Sequence, residues 1–254
     1  VVGKSYYQED ERELFKQHKQ KARHVSNGID TDFWDTKKCS QPHLPRKERR
    51  KKLLNNHGLE DGVFYLYVGR FDPVQKGVDI LLETSEEFLR NNNARMIMVG
   101  AGDRKLENWS KDLGDRYPSK LKVINRLLTR EEVRDLYSSA DFALVPSLFE
   151  PFGLVQLEAM SCGCIPIGSR TGGIKDTVIS HDDDETHATG FLVEKRNAEA
   201  LLNTMTRSLK LYNNKPEVIR RIRHNGRQRC RKLFRWDVSC QHYAQLYKKL
   251  LEAS

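Results

Sequence analysis

Two glutamates eight positions apart, Glu150 and Glu158, lie in the stretch Ser147-Leu148-Phe149-Glu150-Pro151-Phe152-Gly153-Leu154-Val155-Gln156-Leu157-Glu158-Ala159-Met160. Ionised carboxylates accept strongly from hydroxyl groups. The preceding Phe142-Ala143-Leu144-Val145-Pro146 reads as a short strand, apolar on both faces. After it, Leu154, Leu157 and Ala159-Met160 form an apolar stripe at helical spacing. Pro151 cannot extend a strand ladder, and Gly153 frees the backbone for a tight turn. The first carboxylate is therefore expected at a strand-to-helix junction, and the second on the helix, about two turns further on. A helix starting there aims unpaired N–H groups into the same crevice, which suits a phosphate. Two hydroxyl-seeking carboxylates beside an anion hole fit a ligand with a polyol, a diphosphate and a ribose, that is, a nucleotide-sugar. A glutamate on a helix is more often simply solvated. Phe149 and Pro151-Phe152-Gly153, however, make an odd composition for a solvated face.

The elements that must hold these residues alternate. Strands are expected at Phe64–Val68, Arg95–Val99, Leu121–Ile124, Phe142–Pro146, Ile165–Ile167 and Phe191–Val193. Helices fall between them: Gly77–Leu89, Lys105–Asp115, one capped by the box Thr129-Arg130-Glu131-Glu132, one from Leu154, and one opened by Gly172-Gly173. Such alternation implies an α/β fold with a doubly wound parallel sheet, Rossmann-like, whose ligands sit at the carboxyl ends of the strands. Arg70, Gly100, Glu150 and Thr171-Gly172-Gly173 all fall just after strands. Helices follow at Ala198–Tyr212, Pro216–Phe234 and Asp237–Leu251. The segment from Lys37 to Asn56 reads as a polar loop and a basic helix.

Arg70 offers a bidentate grip on a diphosphate and Lys76 a compact point charge. The ordinary alternatives are a solvated arginine and a helix-start lysine. Their arrangement, Gly69-Arg70 and Lys76-Gly77 after a strand, favours the functional reading. Thr171 could be a simple helix cap, and Gly100-Ala101-Gly102 a simple turn.

The chain has 254 residues, 38% hydrophobic and 31% charged, with a net charge of +9. It can bury a sizeable core. No apolar run approaches the ~18 residues of a membrane span, and no signal peptide is read in it. It begins at Val1-Val2-Gly3 without a methionine, which we read as a fragment or an excised piece. Basic residues cluster at Arg46–Lys52 and between Arg220 and Arg235. Because the second run is interleaved with Val218, Ile219, Ile222 and Leu233, solvated helix faces are expected rather than a nucleic-acid site. Cys39, Cys162, Cys164, Cys230 and Cys240 lack zinc-like pairing and read as buried thiols in a reducing compartment. His181 and His187 flank Asp182-Asp183-Asp184-Glu185, which reads as a solvated loop rather than a cation site.

The glutamate stretch resembles the motif of retaining glycosyltransferases with two Rossmann-like lobes, the GT-B fold. Three further segments agree in order and spacing. They are Val68-Gly69-Arg70-Phe71-Asp72 with Gln75-Lys76-Gly77-Val78-Asp79, then Val99-Gly100-Ala101-Gly102-Asp103, then Arg170-Thr171-Gly172-Gly173-Ile174-Lys175-Asp176-Thr177. Together they resemble the bacterial-type glycogen and starch synthases, from about His24 to Tyr247. The resemblance implies a C-terminal, donor-binding lobe. Arg70 and Lys76 would contact the donor diphosphate, Glu150 the sugar hydroxyls and Glu158 the ribose. Backbone near Gly69, Gly100, Gly102, Gly153, Leu154, Thr171, Gly172 and Gly173 would line the donor, and the base would lie near Leu127-Leu128. Some relatives carry an aromatic at the position of Leu128, so ADP-glucose and UDP-glucose both stay open. The resemblance also implies no metal and no cofactor, and an α-glucan acceptor bound through an N-terminal lobe for which this chain has no room. It matches Ser26-Asn27-Gly28-Ile29-Asp30 to an interlobe hinge and the last helix to one that crosses back to the other lobe.

On this reading residues 1–23 are a tail or the remnant of a preceding lobe, 24–254 form the nucleotide-sugar lobe, and 237–254 its terminal helix. The protein is expected to be an intracellular, soluble hexosyltransferase lobe, in cytoplasm or plastid, with neither nucleic acid nor membrane as partner. Three rivals remain: another two-lobe hexosyltransferase (sucrose synthase-like or a mannosyltransferase), a free-standing nucleotide-sugar sensor, and a polyanion-binding protein.

Overall fold

A computed structural model describes residues 25–252. The stretch 1–23, read above as a tail or remnant, lies outside the described residues. In chain order the elements are α1 (Arg46–Asn56), β1 (Val63–Val68), α2 (Val78–Asn91), β2 (Ala94–Val99), α3 (Arg104–Arg116), β3 (Leu121–Ile124), α4 (Arg130–Ser139), β4 (Phe142–Val145), α5 (Val155–Ser161), β5 (Ile165–Ser169), α6 (Gly172–Thr177) and β6 (Phe191–Val193). Three helices close the chain: α7 (Ala198–Asn214), α8 (Pro216–Leu233) and α9 (Trp236–Glu252).

The strands form one sheet of six in the order β3-β2-β1-β4-β5-β6. Every pairing is parallel. The chain winds outward from β1 through β3, returns to lay β4 against the free side of β1, and winds outward again. The reversal between β1 and β4 is the switch point at which such sheets open a crevice.

Strand residues alternate between two cores. Tyr65 and Tyr67 face the first, with Phe88, Phe142, Phe191 and Met205. Phe64 and Leu66 face the second, with Ile97, Tyr137, Ala143 and Leu157. Tyr65 stacks on Phe142 with ring centroids 4.9 Å apart. Its buried hydroxyl meets the Met205 carbonyl at 3.1 Å and Ser208 Oγ at 2.9 Å. Burial on both faces explains why these strands are runs of Val, Ile, Leu, Met and aromatics.

The helices begin where capping chemistry allows. Thr129 and Glu132 form the reciprocal box. Asp103 and Asn197 cap α3 and α7, and Pro216 opens α8 at a position that needs no N–H.

The basic runs are not merely solvated, which corrects the sequence reading. Arg49 and Arg50 are 8% and 5% exposed. Fully buried Asp141 receives Arg50 Nη1 at 2.8 Å and Arg223 Nη2 at 2.6 Å, as well as the Phe64 amide at 3.1 Å. Arg46 donates to the carbonyls of Tyr137, Ala140 and Cys162, at the carboxyl ends of α4 and α5. Arg229 does the same at the end of α6, reaching Thr177 O at 2.8 Å and Asp176 O at 3.0 Å. Unpaired carbonyls there carry partial negative charge and attract guanidinium groups. The acidic stretch is exposed as expected, but it pairs: Asp182 with Arg207, Asp183 with Arg170 and Asp184 with His187. Cys39, Cys162, Cys164 and Cys230 are buried free thiols, whereas Cys240 is exposed on α9, against expectation.

The chain enters and leaves the sheet at one place. The Ile29 amide donates to Phe234 O at 2.7 Å, and Ile29 bridges Arg235. A Cβ on Gly28 would fall 2.6 Å from the Trp236 backbone. Beyond this crossing α9 buries only Ser239, and Tyr243, Tyr247, Leu250 and Leu251 are exposed.

Asp141→Asn leaves Arg223 without its counter-charge and Arg50 with only Asp61, at 3.3 Å, and a loss of about 3–5 kcal/mol in stability is expected from urea unfolding. A loss under about 1 kcal/mol would show that the junction does not organise the sheet edge.

Candidate functional site

The loops after β1, β2, β4 and β5 open at the carboxyl edge of the sheet. The loop after β1 is shaped by Asp72, whose Oδ1 accepts from the amides of Val74 and Gln75, each at 2.9 Å. This is an Asx turn around Pro73. Gly77 follows in the left-handed region at φ +61°, and a Cβ there would run into the Pro146 carbonyl at the end of β4. Close by, the Gln75 carbonyl accepts from the Leu148 amide at 2.8 Å and the Phe149 amide at 3.4 Å. The loops after β1 and β4 are thus held backbone to backbone.

That contact brings Lys76 and Glu150 together. Lys76 Nζ lies 2.6 Å from Glu150 Oε2, with side chains 20% and 13% exposed. Arg70 stands at the same edge but is 66% exposed. Its Nη2 donates to Gln75 Oε1 at 2.8 Å and lies 3.4 Å from Asp72.

The glycines beside them have packing reasons. The Gly69 amide donates to Val99 O at 3.0 Å, the Gly100 amide to Ile124 O at 3.1 Å, and the Gly102 amide to Glu107 Oε1 at 2.8 Å. A Cβ on Gly100 would enter the Gly69 carbonyl, and one on Gly102 the Phe71 carbonyl. What these residues secure is the closeness of the loops after β1 and β2, which continue as a parallel pair through Phe71 and Gly102.

The loop after β4 rests on α6. The Gly173 amide donates to the Glu150 carbonyl at 3.0 Å, and a Cβ on Gly173 would enter the Phe152 backbone. Thr171 sits at the N-cap of α6 but makes no side-chain cap bond there. Its hydroxyl donates instead to Leu148 O at 3.3 Å. Gly153, at φ +79°, turns the chain over the buried Gln156 side chain. Gln156 Nε2 donates to Phe152 O and to Thr177 Oγ1, both at 3.0 Å. Leu154 follows, 40% exposed at the start of α5.

The helix α5 starts at Val155 with Leu154 as its N-cap, within one residue of the expected start, and Glu158 lies on it, in the first turn. The turn held by Gln156 takes up the residues between Glu150 and the helix. Burial pushes the Glu158 carboxyl up to about 7, and the nearby Arg130 guanidinium offsets part of that. The Arg130 and Arg134 guanidinium carbons lie 4.3 and 4.5 Å from the centroid of the Phe33 ring. Beneath Glu158, the Tyr137 hydroxyl is buried and has no hydrogen-bond partner among the described residues. Its acidity is suppressed first by burial and then by the Glu158 charge. Leu128 packs half-buried against the second core, beside Leu127, which is 86% exposed.

Sequence reasoning gave no role to Asp72, Gln75, Arg130 or Phe33. The Asp-Pro pair was a legible turn signal. The other three act through contacts between distant segments. Among the described residues no group of three or more His, Cys, Asp or Glu is placed to hold a metal ion, and no helix is long and apolar enough to cross a membrane.

An open parallel sheet with marked loops gathered at its switch point defines a Rossmann-like α/β lobe of the kind found in GT-B glycosyltransferases. Residues 46–229 match the family described as glycosyl transferases group 1, and the chain belongs to that family. It is 32% identical over 251 residues to the glycogen synthase of Mycoplasma mobile, covering 92% of this chain and 51% of that protein. Among solved structures it resembles the catalytic domain of starch synthase IV from Arabidopsis thaliana, bound to ADP and acarbose. That match has a TM-score of 0.80 and 23% identity, over 94% of this chain and 51% of the other. It also resembles sucrose-phosphate synthase from Thermosynechococcus elongatus, with a TM-score of 0.69 and 28% identity over 98% and 58%. The chain spans about half the length of the curated relatives it matches.

Gly77→Ala forces a Cβ into the Pro146 carbonyl at a positive φ, so a loss of about 1–3 kcal/mol in unfolding free energy is expected. Retention of parent stability would show that the two loops are not held as described. For Glu158, the folded carboxyl holds its proton more tightly than the ordinary value of 4.5 allows. The stability that Glu158 contributes should therefore fall as pH rises from about 4.5 to about 7 and level off above that. Glu158→Gln should flatten this decline and melt higher than the parent at pH 8. Superimposable melting-temperature profiles for the two proteins would contradict the assignment.

Proposed function

We propose that this lobe binds a nucleoside-diphosphate-glucose as the C-terminal, donor-binding half of a retaining glucosyltransferase that elongates an α-1,4-glucan. The observation that carries the reading is the meeting of Lys76 and Glu150 at the switch point, a cation for a diphosphate beside a carboxylate for sugar hydroxyls. Membership of the glycosyl transferases group 1 family and the half-length match to glycogen synthases support it.

In this reading Arg70 and Lys76 take the diphosphate. Arg70 is exposed and swings from Asp72 and Gln75 onto a phosphate, and each charge-assisted bond contributes roughly 1.5–3 kcal/mol. Glu150 accepts from the glucosyl hydroxyls, and Glu158 from the ribose. Exposed Leu127 and half-buried Leu128 lie where the base is received. Gly153, Leu154 and Thr171-Gly172-Gly173 line the sugar and phosphates by their place in the loops, while Gly69, Gly100 and Gly102 bound the nucleotide side. The chemistry needs no metal, because the two basic side chains supply the charge that stabilises the leaving diphosphate. Residues 24–254 make up the lobe, with 237–254 as its terminal helix, and the acceptor glucan is held by another lobe. Four buried free thiols support an intracellular compartment, cytoplasm or plastid. A sucrose-phosphate synthase-like transfer is the second reading, favoured by the structural match to that enzyme. It would share the donor site and differ in the acceptor.

Calorimetric titration with ADP, UDP, ADP-glucose and UDP-glucose tests the reading. Lys76→Ala should weaken both the preferred nucleoside diphosphate and its glucose derivative, the latter by roughly 10–150-fold, since the diphosphate is present in both. Unchanged affinity for both would remove Lys76 from the donor site.

A further inference from the structure

The contact between Lys76 and Glu150 joins two groups that, in the function proposed above, serve adjacent parts of one ligand, the diphosphate and the glucosyl group. Their separation is fixed from behind. Gln75 O holds the amides of Leu148 and Phe149, Gly77 abuts Pro146, and the Gly173 amide holds the Glu150 carbonyl. Neither loop can carry its charged side chain away without breaking backbone hydrogen bonds. The pair is also largely shielded, with 20% and 13% of the two side chains exposed, so it is screened less than an open surface pair.

A diphosphate reaching Lys76 therefore meets an ammonium already neutralised by a carboxylate. If the carboxylate stays, two anions share one cation at close range. If it leaves, it becomes a mostly buried charge without a donor. An intact nucleotide-glucose brings hydroxyl donors to Glu150 at the same moment that its phosphates engage Lys76, so the carboxylate exchanges one partner for others.

We propose that the Lys76–Glu150 ion pair is a specificity device that disfavours free nucleoside diphosphate relative to the intact nucleotide-glucose. The inference rests on the donor reading and adds to it a sign: Glu150 opposes the binding of one half of the ligand and supports the other. Once the glucosyl group has left, Glu150 recovers Lys76 and helps to release the nucleoside diphosphate.

Removing the charge at position 150 without changing its shape tests this directly. Calorimetry at one fixed salt concentration would compare the parent, Glu150→Gln, Lys76→Ala and the double variant with ADP, UDP, ADP-glucose and UDP-glucose. Glu150→Gln should bind the preferred free diphosphate more tightly, by about three- to tenfold, and its glucose derivative more weakly. In the Lys76→Ala background the same substitution should change free-diphosphate affinity by less than about threefold, because the contested cation is gone. Glu150→Ala, which removes the charge through a different side chain, should also tighten the free diphosphate. Free-diphosphate affinity that is unchanged or reduced in both Glu150 variants, with parent-like circular dichroism and melting, overturns the proposal. So does an equal gain with and without Lys76, which would reduce the effect to general repulsion. A parent that binds none of the four nucleotides would instead sink the donor reading itself.

Discussion

Between β1 and β4 the sheet reverses its direction of winding, and there two loops meet with no side chain between them. Gly77 is the residue that permits this, since any Cβ would occupy the place of the Pro146 carbonyl. From that approach follow the two amides on Gln75 O, the facing of Lys76 and Glu150, and the seating of Glu150 on α6 through the Gly173 amide. The site is therefore assembled by backbone rather than by long side chains reaching across a cleft. Its charged groups are presented from positions that the sheet itself defines, which is the kind of preorganisation that electrostatic binding of a substrate requires.

The opposite edge of the sheet solves a different electrostatic problem. In a parallel α/β arrangement the connecting helices all end near the amino ends of the next strands, and their terminal carbonyls converge. Arg46 gathers the ends of α4 and α5, while Asp141 gathers Arg50 and Arg223. These arginines face inward and serve the fold rather than an external partner. A high net charge in this sequence therefore says less about external partners than its magnitude suggests.

The strands were legible because burial on both faces leaves a local signature: Phe142–Val145 and Phe191–Val193 fall where the apolar runs place them. Helix starts with side-chain caps, as at Thr129, were equally plain. The start of α5 fell within one residue of the expected Leu154, but what holds the turn before it did not show: the Gln156 amide bonds Phe152 O, a contact that leaves no trace in periodicity. The fate of the arginines was hidden for a related reason. Arg46, Arg49 and Arg50 sit in the same basic run as exposed Lys47, Lys51 and Lys52, and only the packing of α1 on α4 separates them. For the candidate site, Gly100 and Gly102 could be singled out as special, but their cause lies in strand-to-strand contact. The pairing of Lys76 with Glu150, 74 positions apart, becomes visible only once β4 lies beside β1.

The Ile29–Phe234 hydrogen bond, with Gly28 beneath Trp236, has a topological meaning. The stretch from 29 to 234 is nearly a closed ring, since its two termini are separated by one hydrogen bond. A body of this kind can be cut from one chain and spliced into a surface loop of another with almost no added tether, because the host would need to bridge only a few ångströms. Phe234, at the seam, touches Phe152 at 6.3 Å between ring centroids. The seam and the glutamate loop would therefore travel together as one transplantable cassette.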